Sequence, residues 1–215
     1  FTKINTLIIV LSEGGEAETF TLQKHAHLTR LELSGPKNLT FHNKLMNLKH
    51  LTFDNCTQLI KTAGNFPNLE DIILAETNIV DYSLPLCPGL KGFSIRGGAI
   101  DFRYLIDYLA DKRNLEYLEL VEIDLRFNFL EDLKHPSRQL PNIDEVILKN
   151  IRGFTLDAAR DLRVGGKLSD VFPRGLKKIT LIGFDLEIGK EANIQAIKQL
   201  YPRAKVIVDE LDSVA

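Results

Sequence analysis

Apolar residues recur along this chain in one spacing from its first residues to its last. The spacing is apolar, two variable positions, apolar, one variable position, apolar, and it is clearest in L-K-H-L-T-F-D-N-C at residues 48–56. Eight segments fit it, and their first apolar residues are Ile4, Leu28, Leu48, Leu69, Leu90, Leu115, Ile143 and Leu176. Successive segments begin 20 to 33 residues apart, so we interpret the chain as an array of repeats.

The last two apolar positions of each segment flank one variable residue, which is the pattern of a short strand with one buried face. A single strand of this kind cannot bury enough apolar surface to offset the entropy lost on ordering it. We therefore expect the segments to stack side by side in one direction, as a parallel sheet. The valines of A-K-V-I-V at residues 204–208 predict a ninth strand.

The segments resemble the leucine-rich repeat signature L-x-x-L-x-L-x-x-N/C-x-L. The third copy follows it through Cys56 and on to Leu59, whereas other copies carry Thr77, Gly98 or an apolar residue at the Cys56 position. The resemblance extends over roughly residues 4–208. It implies an α/β solenoid, a leucine-rich repeat horseshoe with a parallel sheet of about eight or nine short strands, and one domain over residues 1–215.

The segments that return from one strand to the next change in character along the chain. Copies two to five are too short for a full helix, so loops or short turns are expected on their convex side. From residue 100 onward, three-four apolar spacing predicts helices. It occurs at Phe102, Leu105, Ile106 and Leu109, at Phe127, Leu130 and Leu133, and at Ile194, Ile197 and Leu200. This half resembles the ribonuclease-inhibitor-like and F-box-associated type of leucine-rich repeat.

The chain opens on an almost continuous apolar run, residues 4–11, which predicts a fully buried first strand. A buried first strand needs a cap over its free edge. Because the sequence starts at Phe1 and not at methionine, we expect it to be a fragment whose N-terminal cap or domain is missing.

Composition narrows the function without defining it. The net charge of −2 gives no general attraction to nucleic acid or anionic membranes, and no run of 18 apolar residues predicts a membrane span. Two cysteines, Cys56 and Cys87, do not make a disulfide framework, and Cys56 is predicted to be a buried thiol. These features favour an intracellular protein of cytoplasm or nucleus, although glycosylation sequons at Asn38 and Asn55 leave secretion open.

Motifs for chemistry are absent from the sequence. No G-x-G-x-x-G or G-x-S-x-G occurs, and the one close histidine pair, His25 and His27, has no third ligand at metal-site spacing. We therefore predict no enzyme activity, no cofactor and no metal site.

The variable strand positions of a one-sided sheet face solvent, and in copies four, six and seven they are rich in acidic residues. The predicted partner-binding residues are Glu70, Asp71, Ile73, Glu116, Tyr117, Glu119, Glu122, Asp144, Glu145 and Ile147. Our hypothesis is that they bind a basic segment of a partner protein, with Tyr117 and Ile147 as apolar anchors. The alternative is a solvated face whose charge is balanced by Lys149, Lys177 and Lys178.

The most direct functional interpretation is a protein–protein interaction scaffold that binds its partner on the concave sheet face. The family resemblance suggests a sharper form, the substrate-recognition domain of an SCF-type ubiquitin ligase. The alternative class is a nucleic-acid-binding or enzymatic domain on the same scaffold. The acidic outward residues argue against nucleic acid, which requires a basic face.

Overall fold

The computed structural model describes residues 4–10, 27–35, 45–56, 66–77, 84–126, 140, 142–151, 172–183 and 190–209. Short strands dominate these ranges. In chain order they are β1 Thr6–Val10, β2 Arg30–Ser34, β3 His50–Asp54, β4 Asp71–Ala75, β5 Gly92–Arg96, β6 Ala99–Asp101, β7 Tyr117–Val121, β8 Asp124–Arg126, β9 Glu145–Lys149, β10 Lys178–Ile182 and β11 Lys205–Asp209.

Nine of the strands form one sheet in the order β1-β2-β3-β4-β5-β7-β9-β10-β11, and every neighbouring pair is parallel. The pairing is in register, so equal strand positions lie side by side. The third positions, for example, form the row Ile8, Glu32, Thr52, Ile73, Ser94, Glu119, Ile147, Thr180 and Ile207. The predicted parallel stack, including its ninth strand, is confirmed, and the chain is a parallel-strand solenoid consistent with a repeat protein.

The core lies behind the sheet, under the second and fourth strand positions. Leu31, Phe53 and Ile72 are at most 1 % exposed, and in copies two to eight the first apolar residue, as in Leu48 and Leu69, is at most 1 % exposed. Burial of a leucine side chain contributes roughly 1.5–3 kcal/mol. Three buried positions per copy hold each five-residue strand of these copies in the stack, whereas Ile4 in the first copy is exposed.

Two backbone structures recur where the chain enters and leaves the strands, and we call them joints. Before a strand, a β-turn closes on the repeat leucine, as where Leu69 N–H donates to Phe66 O at 3.2 Å. After a strand, one residue takes a left-handed conformation, and its N–H bonds the neighbouring strand, as where Glu76 donates to Arg96 O at 2.7 Å. These left-handed residues are Gly35, Asn55, Glu76, Gly97, Glu122, Asn150 and Gly183.

Two helices stand where the apolar spacing predicts them, α1 at Phe102–Ala110 and α2 at Lys190–Leu200. The helix predicted around residues 127–133 and most return segments of the N-terminal half lie outside the described residues. Strands β6 and β8 pair as a small second sheet that was not predicted. Among the described helices, none has the length and apolar character needed to cross a bilayer.

The prediction of a fully buried first strand is wrong. The side chains of β1 alternate between exposed and half-buried, with Ile8 60 % and Val10 73 % exposed. Ile8 and Val10 belong to the outward row, so the apolar run does not mean burial on both faces. Leu7 and Ile9 point inward but are only partly buried, because within the described residues β1 has a neighbouring strand on one side alone.

Candidate protein-binding surface on the sheet

One face of the nine-stranded sheet covers the core, and the other carries the first, third and fifth strand positions. We call the latter the exposed sheet face. In β4, β7 and β9 these positions are half-exposed while the second and fourth are buried. This alternation arises because the strand repeats every two residues.

All ten predicted binding residues lie on this face or at its two ends. Glu70, Glu116 and Asp144 come directly before strands; Asp71, Tyr117 and Glu145 are first strand positions; Ile73, Glu119 and Ile147 are third positions; and Glu122 directly follows β7. The residues of β7 and β9 are brought together as neighbours. Those of β4 are separated from them by β5, which contributed no residue to the prediction.

Lysines enclose the acidic residue at the start of β4. The Glu70 carboxylate pairs with Lys49 at 2.9 Å and with Lys91 at 3.0 Å, one lysine from each neighbouring copy. The hydrogen bond from Lys49, then that from Lys91, lowers the pKa of Glu70 to about 2. The same contact with Glu70 raises the pKa of Lys91.

The acidic residues at the start of β9 also have cationic partners. Asp144 pairs with Lys177 at 2.6 Å and Glu145 with Lys178 at 2.5 Å. Both lysines were named in the alternative of a balanced charged face, and the structure shows them in that role. The backbone N–H of Asp144 donates a hydrogen bond of 2.8 Å to the carbonyl oxygen of Glu116. The carboxylate of Glu116 forms no salt bridge with any described residue.

At the centre of β7, the Glu119 side chain is only 14 % exposed. Its Oε2 accepts hydrogen bonds from Ser94 Oγ at 2.5 Å and from Arg96 Nη2 at 2.8 Å. Next to it, burial first and then the charges of Glu119 and Glu145 raise the pKa of Tyr117 to about 12. The phenol is therefore neutral at physiological pH and presents an uncharged ring on an otherwise charged face.

Residues of β3 and β5 were not included in the candidate binding surface predicted from the sequence. His50 Nδ1 lies 2.8 Å from Asp71 Oδ2, across the β3–β4 pair. Gly92, the first residue of β5, has no side chain between Asp71 and Tyr117. A shallow depression of about 180 Å³ opens there. Writing the predicted strands in register would have placed Gly92 beside both residues, because the repeat fixes which positions are neighbours.

Asparagine side chains join the turns that precede the strands. Asn68 Nδ2 donates to Met46 O at 2.6 Å, and Asn142 Nδ2 donates to Arg113 O at 2.8 Å. The regular signature places its asparagine after the strand, so this column was not predicted. It borders a wider groove of about 590 Å³ along the strand starts. Because these side-chain amides donate hydrogen bonds to backbone carbonyls, we infer that the column of asparagines stabilises the fold.

The two thiols belong to the core. Cys56 is 1 % exposed and Cys87 fully buried, and neither forms a disulfide. Burial raises the pKa of Cys56 to about 12 and also raises the pKa of Cys87. Cys56 N–H donates to Thr77 Oγ1 at 3.4 Å, which ties one copy to the next. The predicted buried thiol at Cys56 is confirmed.

The described part of the chain contains no group of three or more His, Cys, Asp and Glu side chains placed to hold a metal ion. His27 is exposed; His25 lies outside the described residues. No protein-family model matches the chain, and no curated protein shows significant similarity to it.

Proposed function

We propose that this protein is a leucine-rich repeat scaffold that binds another protein through the exposed sheet face. The observation that carries the proposal is a parallel sheet of nine strands with half-exposed residues on one face. Parallel sheets in most proteins are covered on both faces, whereas repeat solenoids use an extended open surface for binding. Nine strands spaced about 4.8 Å apart give a surface roughly 38 Å across, enough for an extended peptide or a domain.

The proposed partner segment is basic and carries an apolar residue. Glu116 and Glu122 supply carboxylates that no described cation pairs with. Tyr117 and Ile147 supply half-exposed apolar surface beside them. Acidic residues that already have a cationic partner, such as Glu119 and Asp144, add little to the net negative charge of the exposed sheet face. The proposal therefore concentrates the electrostatic attraction on the two unpaired residues at either end of β7.

A sharper form of the proposal makes the chain the substrate-recognition domain of an SCF-type ubiquitin ligase, in cytoplasm or nucleus. Its support is the repeat spacing and the helices α1 and α2 in the C-terminal half, which resemble F-box-associated repeats. This form rests on family analogy. Co-precipitation of the protein with the core subunits of such a ligase would test it, and absence of their binding would remove it while leaving the scaffold proposal intact.

Charge reversal of the unpaired carboxylates tests the binding surface. We expect a labelled peptide of alternating lysine and glycine with one leucine to bind the protein, and the E116K/E122K variant to bind it at least tenfold more weakly, by fluorescence anisotropy. D111K/E191K makes the same change of four charge units at two exposed residues, one directly after α1 and one in α2, rather than on the sheet face, and should leave the affinity unchanged. No binding by the wild type, or equal loss in both variants, would contradict the proposal.

A single-stranded oligonucleotide serves as the competing ligand. Nucleic-acid binding would give tight, strongly salt-dependent association that charge reversal to lysine increases. If the oligonucleotide binds more tightly than the basic peptide, the exposed sheet face is not a protein-binding surface of the proposed kind.

A further inference from the structure

The first strand positions form a continuous row of side chains across the centre of the sheet, with one interruption. The row runs Arg30, His50, Asp71, Gly92, Tyr117 and Glu145. Gly92 is its only glycine within the described strands. The interruption creates the depression of about 180 Å³, whose floor includes Ile73 and Ser94.

The size of the depression restricts what can occupy it. Its volume corresponds to about six water molecules and is below the roughly 300 Å³ at which pockets for small-molecule ligands begin. A single side chain from a partner fits these dimensions. A nucleotide or a sugar chain does not.

Two groups of different chemistry face each other across Gly92. On one side is the Asp71 carboxylate, which His50 holds through Oδ2. Its other oxygen, Oδ1, has no hydrogen-bond partner among the described residues and would lie only 2.4 Å from a Cβ on Gly92. On the other side is the Tyr117 ring, whose Cδ1 would be 3.9 Å from that Cβ.

An anion next to an aromatic ring is the environment that suits a guanidinium group. Arginine forms forked hydrogen bonds with carboxylates and stacks its planar group on aromatic rings, whereas lysine offers only a point charge. The arginines that already border the depression are neutralised by neighbours, Arg30 by Glu32 at 2.7 Å and Arg96 by Glu119 at 2.8 Å. Of the two carboxylates that line the depression, Glu119 is paired with an arginine, whereas Asp71 is paired with a histidine and with no arginine or lysine among the described residues.

We propose that the depression over Gly92 receives one arginine side chain of the partner's basic segment, which lies between the Asp71 carboxylate and the Tyr117 ring. This inference rests on the proposed function, because it names the residue that the basic segment must contain. Gly92 is the specificity-determining position, since any side chain there closes the depression.

The test compares two peptides that differ at one position. The first is the lysine–glycine peptide, and the second has its central lysine replaced by arginine. Lysine and arginine can both donate a charge-assisted hydrogen bond to Asp71, but only the planar guanidinium also stacks on the Tyr117 ring. We therefore expect the wild type to bind the arginine peptide about tenfold more tightly, which corresponds to about 1.4 kcal/mol. G92A should remove the difference, because its methyl group occupies the space that Asp71 Oδ1 already uses.

G175A is the matched control, since a Cβ at Gly175 has no heavy atom within 4 Å; this variant should keep the preference for arginine. Y117L is a second variant that removes the ring without filling the depression, and it should reduce the preference. Equal binding of both peptides to the wild type would overturn the arginine site and leave the proposed function standing. If neither peptide bound, both proposals would be overturned, and a preference retained in G92A and in Y117L would overturn the location.

Discussion

At the scale of single residues, the joint after each strand depends on one unusual backbone conformation. Seven residues adopt it with φ between 46° and 87°, and four of them are not glycine. Asparagine tolerates this region, as at Asn55 and Asn150, whereas for glutamate it costs about 1–2 kcal/mol. Glu76 and Glu122 keep the conformation because the N–H of each is bonded to the neighbouring strand.

Gly98, which directly follows the joint residue Gly97, is a glycine whose substitution should cost stability. It has φ +78°, and a Cβ there would lie 2.7 Å from Thr77 O, a backbone atom that cannot move aside easily. We expect G98A to lower the free energy of unfolding by about 2 kcal/mol. Urea denaturation of G98A and of G175A, a glycine in open space without positive φ, measures the effect; equal stabilities would contradict it.

Burial of the Cys56 thiol predicts a pH dependence. The unfolded thiol ionises near pH 9 and the folded thiol near pH 12, so the native state keeps a proton that the unfolded state releases. The stabilisation is complete below pH 9 and is lost as the pH rises from 9 to 12. C56A should therefore lose less stability over this range than the wild type, as measured by urea unfolding at a series of pH values. Parallel curves would refute the assignment.

At the scale of elements, charged rows cross the sheet at right angles to its strands. Lys49, Glu70 and Lys91 alternate in sign at the starts of β3, β4 and β5. Because these positions are in register, one substitution changes contacts with two neighbouring copies. The row acts as a chain of exposed ion pairs, each weak by itself and weakened by salt.

The low pKa of Glu70 predicts how stability changes at acidic pH. Its pKa is lowered from 4.5 to about 2, so its contribution to stability is present above pH 4.5 and is lost as the pH falls toward 2. A carboxyl NMR titration should show the low pKa in the wild type. Replacing both Lys49 and Lys91 by methionine should return the pKa toward 4.5; a low value that persists would exclude the lysines as its cause.

Strands and helices with a regular spacing of apolar residues could be predicted from the sequence, whereas side-chain contacts between copies could not. Leu51 and Phe53 mark β3 by alternation alone, and α1 follows from the spacing of Phe102, Leu105 and Leu109. The partners of Glu119 depend on rotamers of Ser94 and Arg96, which no periodicity specifies. For the same reason the sequence left two alternatives open, an acidic surface and one balanced by lysines, and the salt bridges of Lys177 with Asp144 and of Lys178 with Glu145 became visible only in the structure.

At the scale of the whole molecule, the extensive contacts between described strands of the sheet are all between immediate neighbours. In such a solenoid, stability is close to a sum of local and nearest-neighbour terms. The inward residues of central strands, such as Ile72 and Leu74, are fully buried, whereas Leu7 in β1 and Val206 in β11 are only partly buried. The two end strands therefore have less to hold them in place.

This difference predicts a gradient of protection. In native-state hydrogen exchange followed by NMR, amides of β4 and β5 should exchange only through large openings, and those of β1 and β11 through small local ones. Exchange rates should fall from both ends toward the centre. Uniform protection across the nine strands would show that the sheet opens as one cooperative unit, contrary to this expectation.

The identical joints have a consequence for how such a protein changes length. A turn closes on the repeat leucine before the strand in five described copies, and a left-handed residue follows seven of the nine sheet strands. Because both joints lie directly beside the strand, extra residues between one strand and the next need not shift the register of the sheet. The distances between successive copies, from 20 to 33 residues, are therefore compatible with one uninterrupted sheet.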